Sequence, residues 1–320
     1  MMNERSTAIA VLCSHLCVGE GVTPLEPKEY SSFATLLRSK KIDPEDILRF
    51  GKQDFVQQLD MTEIQADRFL RLLDRSASLS FEISKYESMG ITILTRADAA
   101  YPKKLKEKLG NACPPLFYAA GDPTIAAQSA IGFVGSRSIG ESDILFTQSA
   151  VRNVLNNGHI IVSGGAKGCD SIAEETALDA GGAAIAYLSD SMMRKLRNAK
   201  TLQAVQQGKL LLLSVVKPDA GFNTGVDMML NRYIYAQSEA TVVVKSDFNK
   251  GGTWNGATAN LKNQWALTLC RNHLSYPGNK ALIEKGAIPV EDDWDGSIQA
   301  FTAKEKQESV QQLSLFGDAE

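Results

Sequence analysis

The sequence is short of the features that announce a secreted, membrane or disulfide-stapled protein. No apolar run approaches the roughly 20 residues needed to span a bilayer, and the start lacks a charged-then-apolar leader. Cysteine is scarce, with five in 320 residues, an odd number and no C-x-x-C pair. Neither a disulfide framework nor a zinc ribbon is expected, and a reducing, cytoplasmic setting with no membrane partner is. Cys13, His15 and Cys17 look ligand-like, but Cys13 and Cys17 fall on one face of an apolar helical stretch and His15 on another. Buried helix packing accounts for them, and no metal or cofactor is expected. A strong positive balance is also missing, since the net charge is -3. Nucleic-acid binders normally concentrate basic charge, so the bulk balance gives that function no support and leaves only a local cradle. Two runs are locally basic: Lys103, Lys104, Lys106 and Lys108, then Arg194, Lys195, Arg197 and Lys200. Each reads equally as a solvated helix face or a path for DNA.

What is present is a globular composition, 44% hydrophobic and 22% charged, in a chain long enough for two units. Residues 1–82 read as a small all-helical domain. Within it, DPEDILRFG predicts a helix with Asp43 as N-cap, Pro44 at the first position and Gly51 as the stop. Over residues 83–295, strand-like and helix-like stretches alternate. ITILT, IGFVG, HIIVSGG, AAIAYL, KLLLLSVV, ATVVVK and WALTLC predict strands, whereas SDILFTQSAVRNVLNNG and SIAEETALDAGG predict helices. The fold class expected is α/β: a Rossmann-like, doubly wound, mostly parallel sheet with ligands at the carboxyl ends of its strands. Residues 296–320 read as a polar, flexible tail with an apolar motif at its end.

The chemistry-bearing residues cluster where strands run into glycine. In IGFVGSRS, Gly135, Ser136 and Arg137 form a turn before a helix, a place where free N–H groups and the helix dipole favour an anion. In IIVSGGAKGCDS, Ser163, Gly164, Gly165, Lys167 and Gly168 make a second such turn, with Asp170 as the expected cap of the next helix. No acidic ribose-binding residue follows in the expected place, which disfavours a nicotinamide enzyme. The GK[ST] ending of a Walker loop is absent too. Phosphate cradling remains the best use of a glycine loop holding a lysine. Asn231 and Arg232 are expected just before a helix, Gly252 and Thr253 open another after ATVVVK, and Asn279 follows WALTLC. Almost no carboxylate accompanies these strand ends, and donors without acceptors suit an anion, not general acid–base catalysis. No catalytic residue is expected. Trp254 and Tyr233 are open to base stacking or to buried packing.

The order VGSR, SGGAKGCD, LNRYIYAQS, GGT and PGN…LIEKGA resembles the DprA/Smf DNA-processing family, and the upstream ILTRADAAYPKKLKE…PPLFYAAGD is similar to that family's leading segment. The likeness runs over about residues 83–290. It implies an extended Rossmann-like domain that binds single-stranded DNA, forms a homodimer and hands the strand to a RecA-type recombinase. Carried over by position, Gly135, Ser136 and Arg137 hold a phosphate, Ser163, Gly164, Lys167 and Gly168 form the neighbouring cradle, and Asn231, Arg232, Thr253 and Asn279 complete it. The chain departs from the pattern at Cys169, which stands where an aliphatic residue is usual. It departs also in lacking FPxR before Asn231, in GGTWNGA for SGSLxTA, and in showing no winged-helix module.

In the tail, Gln312, Leu313, Ser314, Leu315 and Phe316 spell QLSLF, similar to the peptides that dock on the bacterial β sliding clamp; leucine and phenylalanine would fill apolar pockets while the glutamine amide bonds at the rim. The alternative function is a nucleotide-binding sensor or hydrolase on the same scaffold. Related LOG phosphoribohydrolases use a glutamate in PGGxGTxxE, and GGTWNGA offers none.

Overall fold

The computed structural model describes residues 2–302. Five helices come first: α1 (Glu4–Cys13), α2 (Pro27–Lys40), α3 (Lys52–Leu59), α4 (Glu63–Leu73) and α5 (Ser76–Glu87). Then come β1 (Thr92–Thr95), α6 (Lys103–Leu109), β2 (Leu116–Ala120), β3 (Ala130–Val134), α7 (Glu141–Asn156), β4 (Ile160–Ser163), α8 (Cys169–Asp179) and β5 (Ala184–Tyr187). The remainder is α9 (Met192–Leu196), α10 (Ala199–Gln206), β6 (Leu210–Ser214), α11 (Thr224–Gln237), β7 (Ala240–Val243), α12 (Gly251–Asn263), β8 (Leu267–Arg271), α13 (Pro277–Glu284) and β9 (Ile288–Val290).

The strands form one sheet in the order β1-β2-β6-β5-β4-β3-β7-β8-β9. From β6 to β9 all neighbours are parallel, and β2 lies antiparallel to both β6 and β1. This is the doubly wound, mostly parallel α/β fold expected. The strands of its middle are apolar throughout because helices cover both faces. Alternate residues divide between two cores. Ile131, Phe133, Ile161 and Leu212 face α7 and α8 through Phe146, Val151 and Ala173. Val134, Val162, Leu211 and Val243 face α6, α11, α12 and α13 through Leu105, Ile234, Trp254 and Leu282. Winding reverses between β3 and β7: β3 continues to β4, β5 and β6 on one side, and β7 to β8 and β9 on the other. A crevice opens at the carboxyl ends of strands at such a reversal.

The first helices pack at the β1–β2 edge, and their apolar residues join the core under α7 and α8. Ser14 Oγ and Tyr118 OH meet at 2.9 Å across this junction. The boundary expected after residue 82 falls inside α5. Two local expectations are corrected. The apolar stretch around Cys13 does not continue as helix to Cys17. It ends at Ser14, whose backbone is extended, and the Ser14 hydroxyl accepts from Leu16 N. Cys17 is exposed at φ +53 while Cys13 is buried, so no shared face exists. The segment after Asp43 makes only a short 3-10 turn, Asp46–Arg49, because Asp46 turns back to accept from Asp43 N. Among the described residues no helix is long and apolar enough to cross a membrane.

Candidate nucleic-acid interface

At the end of β3 the chain turns through Gly135, Ser136 and Arg137 before α7. Gly135 has no room for a side chain, since a Cβ there would lie 2.7 Å from the Cβ of Cys169. Ser136 N donates to Lys245 O at 2.9 Å, and Ser136 Oγ accepts from Ser138 N at 3.1 Å, which fixes the turn. Arg137 is exposed at the rim, its guanidinium 5.1 Å from the ring centroid of Phe222.

At the end of β4 the second glycine turn closes against the first. Gly168 adopts φ +84, and a Cβ on it would meet Ser136 O at 2.6 Å and the Arg137 Cα at 2.7 Å. Cys169 N donates to Ser136 O at 3.3 Å. The two loops therefore interlock through backbone. Cys169 is fully buried beneath Gly135, which explains why a small apolar-like residue serves at this position. Asp170 does not cap α8 as expected. Its Oδ2 accepts from Gly164 N at 3.0 Å and so braces the glycine turn from below. Ser163 likewise does not face the crevice: it is buried, and its Oγ accepts from Gly165 N at 3.2 Å. Lys167 is exposed at the tip.

Asn231 and Arg232 lie inside α11, not before it, because Asn223 caps the helix eight residues earlier, accepting at Oδ1 from Val226 N. Asn231 Nδ2 donates to Gly252 O at 3.1 Å and ties α11 to the start of α12. Arg232 turns away from the crevice and lies against Tyr233, 5.0 Å from its ring and 3.1 Å from its hydroxyl. Tyr233 and Trp254 are buried, which settles them as packing and not as stacking platforms. Asn279 is also fully buried. It accepts from Ser246 N at 2.8 Å and donates to Val244 O and Arg271 O at 3.0 and 2.9 Å, locking the ends of β7 and β8 together. Asn279→Ala strands three backbone groups, each costing about 1–3 kcal/mol. Denaturant unfolding should therefore show a loss of at least about 3 kcal/mol, and an unchanged midpoint would refute this bracing role.

What faces the crevice is a cavity of about 370 Å3 lined by Gly135, Ser136, Arg137, Gly164, Asn231, Gly252 and Thr253, and also by Phe222, Met228, Lys245 and Lys250. Phe222, Met228, Lys245 and Lys250 escaped the sequence reading. Lys245 was the last letter of an apolar strand run, and Phe222 sits in a loop without a motif. Carboxylates are less absent than expected: Asp170 and Asp143 accept from the backbone N–H groups of Gly164 and Gly140, but the exposed Asp247 also lines the cavity. Lys245, which lines this cavity, donates from Nζ to Ser138 O at 3.1 Å and lies 3.6 Å from Asp143. Asp143 feels burial most, which raises its pKa. The Tyr276 hydroxyl, the Gly140 N–H and the charges of Lys245 and Arg271 outweigh this and hold it below the usual carboxylate value.

The two basic runs separate. Lys104 and Lys108 donate to Gln128 O and Ser238 O, at the amino ends of the strands and away from the cradle; burial lowers the Lys108 pKa to about 8. Arg194, Lys195 and Lys200 instead line a larger cavity adjoining the cradle. Among the described residues no group of three or more His, Cys, Asp or Glu converges as a metal site. Gln312, Leu313, Leu315 and Phe316 lie outside the described residues.

The profile of the DNA recombination-mediator protein A family matches residues 92–300. The fold superposes on DNA processing protein A (DprA) from Streptococcus pneumoniae with a TM-score of 0.71 at 19% identity, covering 93% of this chain and 98% of that one. DNA processing protein A from Helicobacter pylori, whose structure concerns a single-stranded DNA binding mode, matches with a TM-score of 0.53 at 26% identity over 68% of this chain and 96% of that one. Among curated proteins there is no match.

Proposed function

The chain belongs to the DNA recombination-mediator protein A family, and from that premise we propose that it binds single-stranded DNA across the carboxyl ends of its parallel strands and acts in DNA processing. The interlocked pair of glycine turns at the sheet's switch point carries this reading. Gly168 has backbone atoms of Ser136 and Arg137 within 3 Å of where a side chain would start, so close packing fixes the spacing of the two turns that carry Arg137 and Lys167. Around it stand Arg137, Lys167, Lys245 and Lys250, and the half-exposed Phe222. In this reading a phosphate pairs with the Arg137 fork and the neighbouring lysines, and a base stacks on Phe222, whose ring accepts any base. Gly135, Ser136, Arg137, Gly164, Gly165, Lys167, Gly168, Gly252 and Thr253 make up the contact surface in this reading, with Ser163, Asn231 and Asn279 as its supports. The finer parts of the proposal are handover to a RecA-type recombinase, docking of residues 312–316 on the sliding clamp, and homodimer formation. The relative from Helicobacter pylori, whose structure concerns single-stranded DNA binding, supports strand binding and none of these finer parts.

The test is binding of a labelled dT oligomer to the full chain across a salt series. Loss of one phosphate contact flattens the plot of log K against log salt by about 0.7. Arg137→Ala and Lys167→Ala should each weaken binding and reduce the slope by about that amount. No binding at low salt would sink the proposal, and unchanged slopes would move the strand elsewhere on the surface.

A further inference from the structure

The cradle opens into the larger cavity, about 780 Å3, which α8 and the α9–α10 segment line. That volume lies within the roughly 300–1,000 Å3 of small-molecule sites. Both cavities share Arg137, Gly164, Ala166 and Phe222, so a strand on the cradle passes the mouth of the larger one. The cavity wall holds a buried charged pair. Glu174 on α8 is 4% exposed, and its Oε1 lies 2.9 Å from Lys195 Nζ. Its Oε2 is buried without a hydrogen-bond partner. A buried carboxylate oxygen left without a donor is unfavourable. The terminal torsion of Glu is soft, so both oxygens can be presented to the cavity that the residue lines. Leu178 and Leu188 add apolar wall for a flat ring. Glu175, Asp179 and Asp190 line the cavity beside Lys167, Arg194, Lys200 and Lys209, so its wall offers acceptors and donors together, which suits the edge of a base.

We propose that this cavity reads a guanine base of the bound strand, with Glu174 accepting from N1–H and N2–H and Lys195 donating to O6. The inference rests on the strand-binding reading above. A carboxylate beside an ammonium offers acceptors next to a donor. Among the four bases guanine alone presents two adjacent donors followed by an acceptor, whereas adenine, cytosine and thymine each present a single donor there.

Anisotropy titrations of the full chain at one salt concentration test this. A dT oligomer is compared with the same oligomer carrying one central dG or one deoxyinosine, which lacks only the N2 amino group. The dG oligomer should bind about tenfold tighter than dT, deoxyinosine should lose most of that gain, and Glu174→Gln should bring the dG-to-dT ratio close to one. Equal affinity for dT and dG, both bound, overturns the guanine assignment and leaves the strand site standing. Equal affinity for dG and deoxyinosine also overturns it, without relying on any variant's folding. Free dGMP binding as tightly as the dG oligomer overturns the assignment to a strand base. No binding of any oligomer overturns both readings.

Discussion

Replacing Arg271 by methionine should lower the unfolding free energy at neutral pH by about 3–5 kcal/mol, the usual consequence of removing one partner from a buried ion pair. Arg271 is fully buried at the end of β8. It donates to Asp292 at 2.7 and 2.8 Å, to Asp143 at 2.9 Å and to Ser142 Oγ at 2.7 Å, and its guanidinium lies 4.7 Å from the Phe146 ring centroid. Methionine fills the stem's volume but leaves Asp143, whose side chain is 1% exposed, with a reduced set of partners. Acid gives a second readout. Asp292 is held below its ordinary pKa, chiefly by the Arg271 hydrogen bond, and Asp143 is held below its own as described above. A carboxyl lowered in the folded state contributes stability that is fully present above its unfolded value and is lost as pH falls through the folded one. The unfolded value here is 3.8. The gap between wild type and Arg271→Met should therefore narrow below that pH. A gap under about 1 kcal/mol at pH 7, against the magnitude expected for a buried pair, would show that Arg271 is dispensable. Because the same network holds Ser142 and Asp143 at the start of α7, and Lys245 against Ser138 O, the variant should also weaken strand binding.

The middle of the sheet could be read from the sequence because β3 to β8 are continuous apolar runs, two of which, β3 and β4, run into glycine. β2 and β9 went unread as strands: LFYAA follows two prolines, and the three-residue IPV is too short to show a period. The antiparallel pairing of β2 with β6 depends on partners 94 residues apart (Ala119 with Leu213) and leaves no local trace. At the site, the glycine turns were legible because only glycine tolerates such close approach. The polar residues beside them were harder. A serine or asparagine at a strand end serves a ligand or a backbone group with the same atoms, and only the fold decides. Ser163, Asp170 and Asn279 went to the backbone. Arg232 was misplaced for a geometric reason, since one residue along a helix from Asn231 is a rotation of about 100°, enough to send it to Tyr233. Glu174 and Lys195 meet across 21 positions from separate helices, and no spacing in the sequence announces them.

Gly168→Ala should do more damage to strand binding than Arg137→Ala, although it removes no charge. At φ +84 any L-residue is strained by about 1–2 kcal/mol, and the added methyl would lie 2.6 and 2.8 Å from Ser136 O and Arg137 O. Those atoms are backbone, so no side-chain rotation relieves the contact; the two turns must part, at about 1–3 kcal/mol of overpacking. Parting breaks the Cys169 N to Ser136 O bond and displaces Arg137 from its place over the cradle. Gly158→Ala provides the comparison. Gly158 has φ +80 but nothing within 4 Å of its added methyl, and it lies beyond the far end of α7. It should lose only the strain, about 1 kcal/mol, and bind the oligomer as the unaltered chain does. The two glycines share a positive φ, but Gly168 at ψ -127 lies outside the left-handed helical region, so its variant carries added backbone strain as well as the contact with the neighbouring turn. If both lose the same stability and both keep binding, the turns are not interlocked in solution and the cradle needs no fixed spacing. If Gly168→Ala alone loses the oligomer while remaining folded, the separation between the two turns is what admits the phosphate.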